Sequence, residues 1–384
     1  MTSSLITDIE IINKTLLERN PFFKRYIGTS DSWAEEDIND LETLNAHGSD
    51  AVMQALQDIK VSKSESRINS MVIMGAANIG KTHLVRRIRR KVKNLKSGLF
   101  LLIPRVDVNR PWESFQSLAS KSLDQLGGFE VTQWQELATV MINSHYKDSP
   151  RNPKNLLTKF DQAPPEKVAG IIQKLTSEYR RANSQKNLDP DIVRAIFWTL
   201  VQAETPYAVK WLGGNALADY KANELRLPPN NETFTTILGI LKIISLHKEL
   251  VICFDELDTI DSNDQGMSRQ AIAAQLIKDL FQNLYRGVIV TFLTRESWTQ
   301  FILRQVPQAI WGRMTTYGEP IILKPLDVES SVALVELVLG NFYKEYNITP
   351  PHSLYPFVRD SNSKFKNRRV GSLKRDTVDT SEGR

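Results

Sequence analysis

The chain is predicted to have an α/β fold, in which a parallel sheet is flanked by helices and carries a large helical insertion. Short apolar segments of strand length alternate with longer segments of helical periodicity, which is the pattern of βαβ units. One apolar segment leads into a glycine-rich turn, and another ends in two adjacent carboxylates. Both features are typical of the carboxyl edge of such a sheet. The five candidate strands are residues 69–74, 99–106, 250–254, 287–293 and 320–323.

The turn after the first candidate strand, residues 75–82, has the spacing of a phosphate cradle and is called the glycine loop below. Gly75 and Gly80 enclose four residues and are followed by Lys81 and Thr82, in the pattern G-x-x-x-x-G-K-T. Glycines let backbone N–H groups approach an anion, and the next helix adds the positive end of its dipole. Lys81 is expected to reach the β- and γ-phosphates of a nucleotide, and the Thr82 hydroxyl to bind Mg²⁺. The alternative is a chance glycine turn between a strand and a helix. The predicted nucleotide-binding residues are Gly75, Ala76, Ala77, Asn78, Ile79, Gly80, Lys81, Thr82 and His83.

Two carboxylates follow the apolar run 250–254, which has the composition of a buried parallel strand. Asp255 is predicted to hold Mg²⁺ through water, and Glu256 to polarise the attacking water, which favours a hydrolase over a passive nucleotide binder. The alternative is that these carboxylates cap a helix. Together with the glycine loop they predict binding of ATP or GTP. ATP is favoured, because the sequence has no N-K-x-D motif for reading guanine.

Composition gives little support to nucleic-acid binding. The 49 Lys and Arg exceed the 44 Asp and Glu by five, but residues 359–384 hold eight basic and four acidic residues. The remaining chain therefore carries an excess of only one basic residue. The basic run 86–93 is interpreted as the solvated face of a helix, with a nucleic-acid or acidic-partner surface as the alternative.

One cysteine and no apolar run of membrane-spanning length predict a cytoplasmic protein without a membrane partner.

The predicted domain organisation places a nucleotide-binding core at 67–326, after a helical or irregular lead-in at 1–66. Region 109–248 is mainly helical and longer than one βαβ connection requires, so it is interpreted as an insertion that recruits a protein partner. The alternative is a lid packed on the sheet edge. The polar tail 359–384 is predicted to be disordered. The predicted helices are residues 6–18, 41–61, 112–126, 165–182, 189–203, 232–247 and 328–347, with loops at 145–155 and 226–231.

These motifs, with an additional strand between the glycine-loop strand and the strand before Asp255, make the chain resemble the AAA+ and STAND-like branch of P-loop ATPases. The resemblance covers roughly residues 65–330. It is closest to the origin-recognition and initiator ATPases and to bacterial ATP-binding proteins of mobile-element and defence loci. The resemblance implies the P-loop NTPase sheet, ATP and Mg²⁺ as cofactors, and a homo-oligomer as one assembly. DNA enters as a partner by this analogy only.

The resemblance also implies roles for two further residues. Thr294, after the fourth candidate strand, stands where the family carries a polar sensor of the γ-phosphate, with Thr291 as a buried second choice. Arg313 stands where the family presents an arginine finger to a neighbouring subunit. The alternatives are an ordinary strand-end threonine and a surface or salt-bridged arginine. After Leu326 the family continues into a helical lid, so residues 327–358 are expected to form a short C-terminal helical lid.

The leading hypothesis is an ATPase switch that changes its assembly or its partner affinity with the nucleotide, in a DNA-linked process such as mobile-element transfer, replication-like loading or defence. The second hypothesis is a nucleotide-stabilised interaction scaffold with little or no hydrolysis. Lys81, Asp255 and Glu256 favour the first hypothesis, and the absence of the usual sensor asparagine favours the second. A small-molecule kinase ranks below both, because no lid arginine cluster is present in the sequence.

Overall fold

The computed structural model describes residues 2–22, 33, 39–62, 64, 67–146, 148–359 and 365–366. The chain divides into two compact units, one formed by Met1–Ala46 with Lys324–Arg384 and the other by His47–Leu323. Helix α2 (Ala46–Val61) lies almost wholly in the second unit. The second unit thus takes in part of the segment that the sequence assigned to the N-terminal lead-in.

The second unit contains a five-stranded sheet in which every pairing is parallel. The spatial order is β2-β3-β4-β1-β5, so β4 lies between β1 and β3. All five predicted strands are confirmed, with boundaries shifted by at most two residues at either end. The strands are β1 (Arg67–Met74), β2 (Gly98–Pro104), β3 (Glu249–Asp255), β4 (Arg286–Leu293) and β5 (Ile321–Ile322).

The strands form where apolar residues run without interruption. Ser70–Met74 of β1, Gly98–Ile103 of β2, Leu250–Asp255 of β3 and Gly287–Leu293 of β4 are buried throughout, as expected for strands covered by helices on both faces. Because the strands are parallel, the residues that follow β1, β3 and β4 emerge at one edge of the sheet. The glycine loop, the Asp255–Glu256 pair and Thr294 therefore share that edge.

The helical region between β2 and β3 shares its hydrophobic core with the sheet. Phe115 stacks against Phe254 of β3 with ring centroids 6.1 Å apart, and Trp134 and Trp211 are buried in the same core. The first and last helices of this region, α4 and α11, pack directly against β2 and β3. The region consists of α4 (Pro111–Leu123), α5 (Gln133–His145), α6 (Pro153–Asp161), α7 (Pro165–Ala182), α8 (Pro190–Trp198), α9 (Thr205–Leu212), α10 (Asp219–Leu225) and α11 (Thr233–His247).

Several helix predictions in this region need correction. The predicted helix 189–203 ends at Trp198, and a separate helix begins at Thr205 with Pro206 in its first turn. The predicted loop 145–155 is too long, because Asn152 caps a helix that begins at Pro153. The prediction missed α5, α6, α9 and α10.

The remaining helices of this unit flank the strands along the chain. The helix after the glycine loop and the helix between β3 and β4 are long, and the segment between β4 and β5 holds short turns of helix. They are α3 (Lys81–Leu95), α12 (Arg269–Asn283), α13 (Arg295–Ser297), a π-helical turn (Trp298–Ile302), α14 (Leu303–Gln305) and α15 (Gln308–Trp311).

The basic run of α3 corrects the interpretation of 86–93 as a solvated face. Arg86, Arg87 and Arg89 are 5%, 3% and 7% exposed, and each has interaction partners in the fold. These three arginines therefore do not present a continuous positive surface to solvent.

The first unit is built on two helices, α1 (Thr2–Glu18) and α16 (Val328–Glu345). Ile12 and Leu16 share a small apolar core with Leu339, Phe342 and Tyr343. The helix expected over 328–347 is thus present, and Asp327 caps its first turn.

The polar tail predicted to be disordered lies outside the described residues, apart from one short feature. Val358–Arg359 (β6) and Phe365–Lys366 (β7) pair as antiparallel strands. Among the described helices, none combines the length and apolar character that crossing a bilayer requires.

Candidate functional site

The glycine loop is a tight turn with two residues in the left-handed region. Gly75 follows β1 and donates its N–H to the Leu293 carbonyl at 3.0 Å. A Cβ at Gly75 would lie 2.5 Å from Cγ2 of Ile79, so a side chain there would displace the loop. Asn78 has φ 60° and Gly80 has φ 96°, which is the left-handed region. Two left-handed residues turn the chain from the end of β1 into α3 within six residues.

The start of α3 places backbone amides at this turn. The first intrahelical hydrogen bond runs from Leu84 N to the Gly80 carbonyl at 3.0 Å. The amides of Lys81, Thr82 and His83 precede that bond, where helix N–H groups lack an intrahelical acceptor. Ala76, Ala77 and Asn78 are exposed, whereas the five residues that follow them, Ile79 to His83, are half-buried. An anion approaching from solvent would thus meet the exposed part of the loop and the positive end of α3.

Lys81 folds back over the glycine loop. Its Nζ donates to the carbonyls of Gly75 at 3.0 Å and Ala76 at 3.2 Å. The same ammonium group lies 3.1 Å from Oδ2 of Asp258, and the two side chains are 12% and 26% exposed. The lysine charge is therefore held against the start of the glycine loop.

Thr82 and Asp255 come together from two distant parts of the chain. The Thr82 hydroxyl donates to Oδ2 of Asp255 at 3.4 Å. Asp255 is 2% exposed, and burial raises the pKa of its carboxyl, partly offset by the hydrogen bond from Glu256 N. A hydroxyl and a carboxylate are oxygen ligands of the kind that Mg²⁺ takes from proteins, together with phosphate oxygens and water. The pair fits a Mg²⁺ ion that is completed by a nucleotide, and within the described residues no cluster of three or more metal-binding side chains occurs.

Glu256 sits on a strained turn directly after β3. Its φ is 55°, which is uncommon for a residue with a Cβ. Its N–H donates to Oδ1 of Asp255 at 2.9 Å, which fixes the turn. Neither carboxylate caps a helix, because α12 begins only at Arg269 and is capped by Ser268. The helix-cap alternative is therefore wrong, and Glu256 is half-buried at the carboxyl edge of the sheet.

Thr294 uses both of its polar groups within the protein. Its N–H donates to Oδ1 of Asp258 at 2.7 Å. Its hydroxyl accepts from Ser297 N at 3.1 Å and so caps α13. The hydroxyl thus bonds within the protein's own backbone, as the alternative of an ordinary strand-end threonine expects. Thr291 is fully buried, and its hydroxyl has no hydrogen-bond partner within the part of the chain that the structure describes.

Arg313 is exposed and stands apart from the contacts described so far. Its guanidinium lies 5.4 Å from the centroid of the Phe281 ring, on α12. Among the described residues, no contact joins Arg313 to Lys81, Asp255 or Asp258. A role in the same site would therefore require either a rearrangement within the chain or a second subunit that presents the arginine across an interface.

Asp258 is the residue of this site that sequence reasoning missed. Its carboxylate bridges Lys81 Nζ and the Thr294 amide, and so connects the glycine loop to the end of β4. The spacing Asp255-Glu256-Leu257-Asp258 was the available signal, since a third carboxylate so close to the strand end stays near the same edge.

Comparisons with known proteins do not identify the chain. No protein-family model matches it, and neither a curated protein nor a solved structure shows a significant match.

Proposed function

We propose that the chain binds ATP with Mg²⁺ at the glycine loop. The observation that carries this proposal is the convergence of Lys81, Thr82 and Asp255 on one sheet edge beside a left-handed glycine turn. Backbone amides and the Lys81 ammonium would hold the phosphates, and Thr82 and Asp255 would hold Mg²⁺. Bound Mg²⁺ would neutralise charge on the phosphate oxygens.

We further propose that the chain hydrolyses ATP and acts as a nucleotide-dependent switch of the AAA+ and STAND-like kind. Glu256 supports the hydrolytic part. It is half-buried and follows Asp255, one of the two proposed Mg²⁺ ligands, so its carboxylate can accept a proton from an attacking water. The position of β4 between β1 and β3 agrees with the additional strand that motivated the resemblance. A DNA-linked role and a homo-oligomer extend this proposal by analogy, and a protein partner at 109–248 extends it because that helical region is longer than one βαβ connection requires.

Two observations favour the second candidate function, a nucleotide-stabilised scaffold with little hydrolysis. The Thr294 hydroxyl caps α13, and among the described residues no contact joins Arg313 to Lys81, Asp255 or Asp258. Thr294 and Arg313 are two of the four predicted catalytic residues. Either would act on a bound nucleotide only after a rearrangement or with a second subunit.

Three measurements on the wild-type protein separate these functions and test assembly. ATP affinity with and without Mg²⁺ tests binding, and phosphate release tests turnover, each with and without double-stranded DNA. Light scattering in each nucleotide state tests assembly. Mg²⁺-dependent binding with turnover supports the switch, binding without turnover supports the scaffold, and no binding rejects both.

A further inference from the structure

Asp258 joins two elements that a bound phosphate would affect. Its Oδ2 lies 3.1 Å from Lys81 Nζ in the glycine loop. Its Oδ1 accepts the Thr294 N–H at 2.7 Å, where β4 gives way to α13. One carboxylate thus links the cation of the loop to the backbone at the end of the neighbouring strand.

The ion pair with Asp258 lowers the affinity of Lys81 for any anion, because the anion must compete with the carboxylate. The other two acceptors of the ammonium, the carbonyls of Gly75 and Ala76, are neutral, and only Asp258 carries a charge. The lysine side chain is 12% exposed, so the surrounding protein screens the pair less than bulk water would. A phosphate must compete with this carboxylate for the ammonium, and it repels the carboxylate once it is bound.

Oδ1 of Asp258 connects this competition to the backbone at Thr294. Thr294 N–H loses its acceptor if the carboxylate moves away from the incoming phosphate. That amide lies at the junction where the Thr294 hydroxyl caps α13, which continues through the π-helical turn into α14. A change at Lys81 can therefore reach residues 294–305 through a single side chain.

We propose that Asp258 is an internal competitor of the nucleotide phosphate for Lys81, and that its displacement couples nucleotide binding to the segment 294–305. This inference rests on the proposed binding of ATP at the glycine loop. Asp258 acts through Lys81 and Thr294, so it is a positioning residue. A ligand shifts such a coupled equilibrium only by its different affinity for the two arrangements.

Two substitutions separate the charge of Asp258 from its hydrogen bond. Asp258→Asn removes the ion pair with Lys81 and keeps an oxygen for the Thr294 amide. Asp258→Ala removes both. Asp264→Asn is the matched control, because it removes an exposed carboxylate from the same loop.

The affinity for ATP is the first readout. Asp258→Asn should bind ATP about two- to tenfold more tightly than wild type, since a partly buried ion pair of this kind no longer has to be broken. Asp264→Asn should change the affinity by less than about twofold, because exposed charges are screened by solvent and salt.

Hydrogen exchange of the peptide that contains Thr294 is the second readout. ATP should speed exchange there in the wild-type protein. In Asp258→Ala exchange should be fast already without ATP, and ATP should add no further change. A wild-type protein that does not bind ATP overturns both proposals. A wild type that binds, with Asp258→Asn binding equally or more weakly, or with ATP-independent exchange at Thr294, overturns this inference alone.

Discussion

The Thr82 hydroxyl lies 3.4 Å from Oδ2 of Asp255, although 173 residues separate the two positions. The parallel sheet brings them together, since β1 and β3 end at the same edge with only β4 between them. Asp255 is buried and Thr82 half-buried, so the two oxygens can serve an ion at this edge without any change in the strands.

Replacement of the Thr82 hydroxyl tests the Mg²⁺ part of the account. Thr82→Val keeps the shape of the side chain and removes the oxygen, whereas Thr82→Ser keeps the hydroxyl. In the presence of ATP, the valine variant should lose at least about tenfold in Mg²⁺ affinity, and the serine variant should stay close to wild type. Asp255→Asn should also weaken the Mg²⁺ dependence of ATP binding. Equal Mg²⁺ dependence in the valine and serine variants would rule out Thr82 as a ligand.

Glu256→Gln should separate binding from hydrolysis. The amide keeps the shape of the side chain but cannot accept the proton of the attacking water. We expect unchanged ATP affinity and phosphate release slower by about 10²- to 10⁴-fold. Glu319→Gln, which changes an exposed carboxylate just before β5, is the control. Turnover of Glu256→Gln at the wild-type rate would assign the residue a structural role at its strained turn.

The strands could be predicted from the sequence because short, uninterrupted apolar runs are typical of buried parallel strands. The helices between β2 and β3 were harder, since several depend on local capping. Thr132 and Gln135 form a capping box at the start of α5, a signal that was present in the sequence. The division of 189–203 into two helices follows from Pro206, which favours the first turn of a new helix.

The site residues could be predicted where the spacing itself has a geometric meaning. Lys81, Thr82 and Asp255 meet at one edge, as the strand–loop–helix pattern requires. The pairing of Lys81 with Asp258, and the use of Thr294 as a cap, depend on side-chain positions that no local pattern encodes. The burial of Arg86, Arg87 and Arg89 shows the same limit, because a charge run predicts solvent exposure only when no partner packs against it.

Arg313 provides the test of assembly. If it acts across an interface, turnover per subunit should rise with protein concentration, and Arg313→Ala should abolish that rise and spare ATP affinity. Fingers of this kind accelerate turnover by about 10³- to 10⁵-fold where they operate. A mixture of Arg313→Ala and Glu256→Gln proteins should regain activity, because each supplies what the other lacks. Arg304→Ala, another exposed arginine, is the control. Turnover per subunit that is independent of protein concentration and unchanged in Arg313→Ala would indicate a monomer.

His247 should make the fold sensitive to acid. Its ring nitrogen Nε2 lies 2.6 Å from the Tyr179 hydroxyl, and burial lowers the pKa of His247 to about 4. The unfolded chain takes up a proton near pH 6.5, so between these values it binds more protons than the folded chain. The free energy of unfolding should therefore fall as the pH drops from 6.5 to 4, by up to about 3 kcal/mol.

Denaturant unfolding at several pH values checks this expectation. His247→Gln should reduce the slope of the unfolding free energy against pH in that window. Tyr179→Phe should lower the stability at every pH and keep the slope. The same slope in wild type and His247→Gln would mean that the pKa of His247 is not lowered in the folded protein.

The central claim, that the glycine loop binds the phosphates of ATP, is tested most directly by ATP affinity in Lys81→Ala. The matched control is Lys91→Ala, which removes a lysine of the same helix that pairs with Asp50 at 2.8 Å. Circular dichroism and thermal unfolding establish that both variants are folded. The account predicts that Lys81→Ala loses ATP binding and turnover while Lys91→Ala keeps both. ATP affinity and turnover at wild-type levels in a folded Lys81→Ala protein would contradict the account.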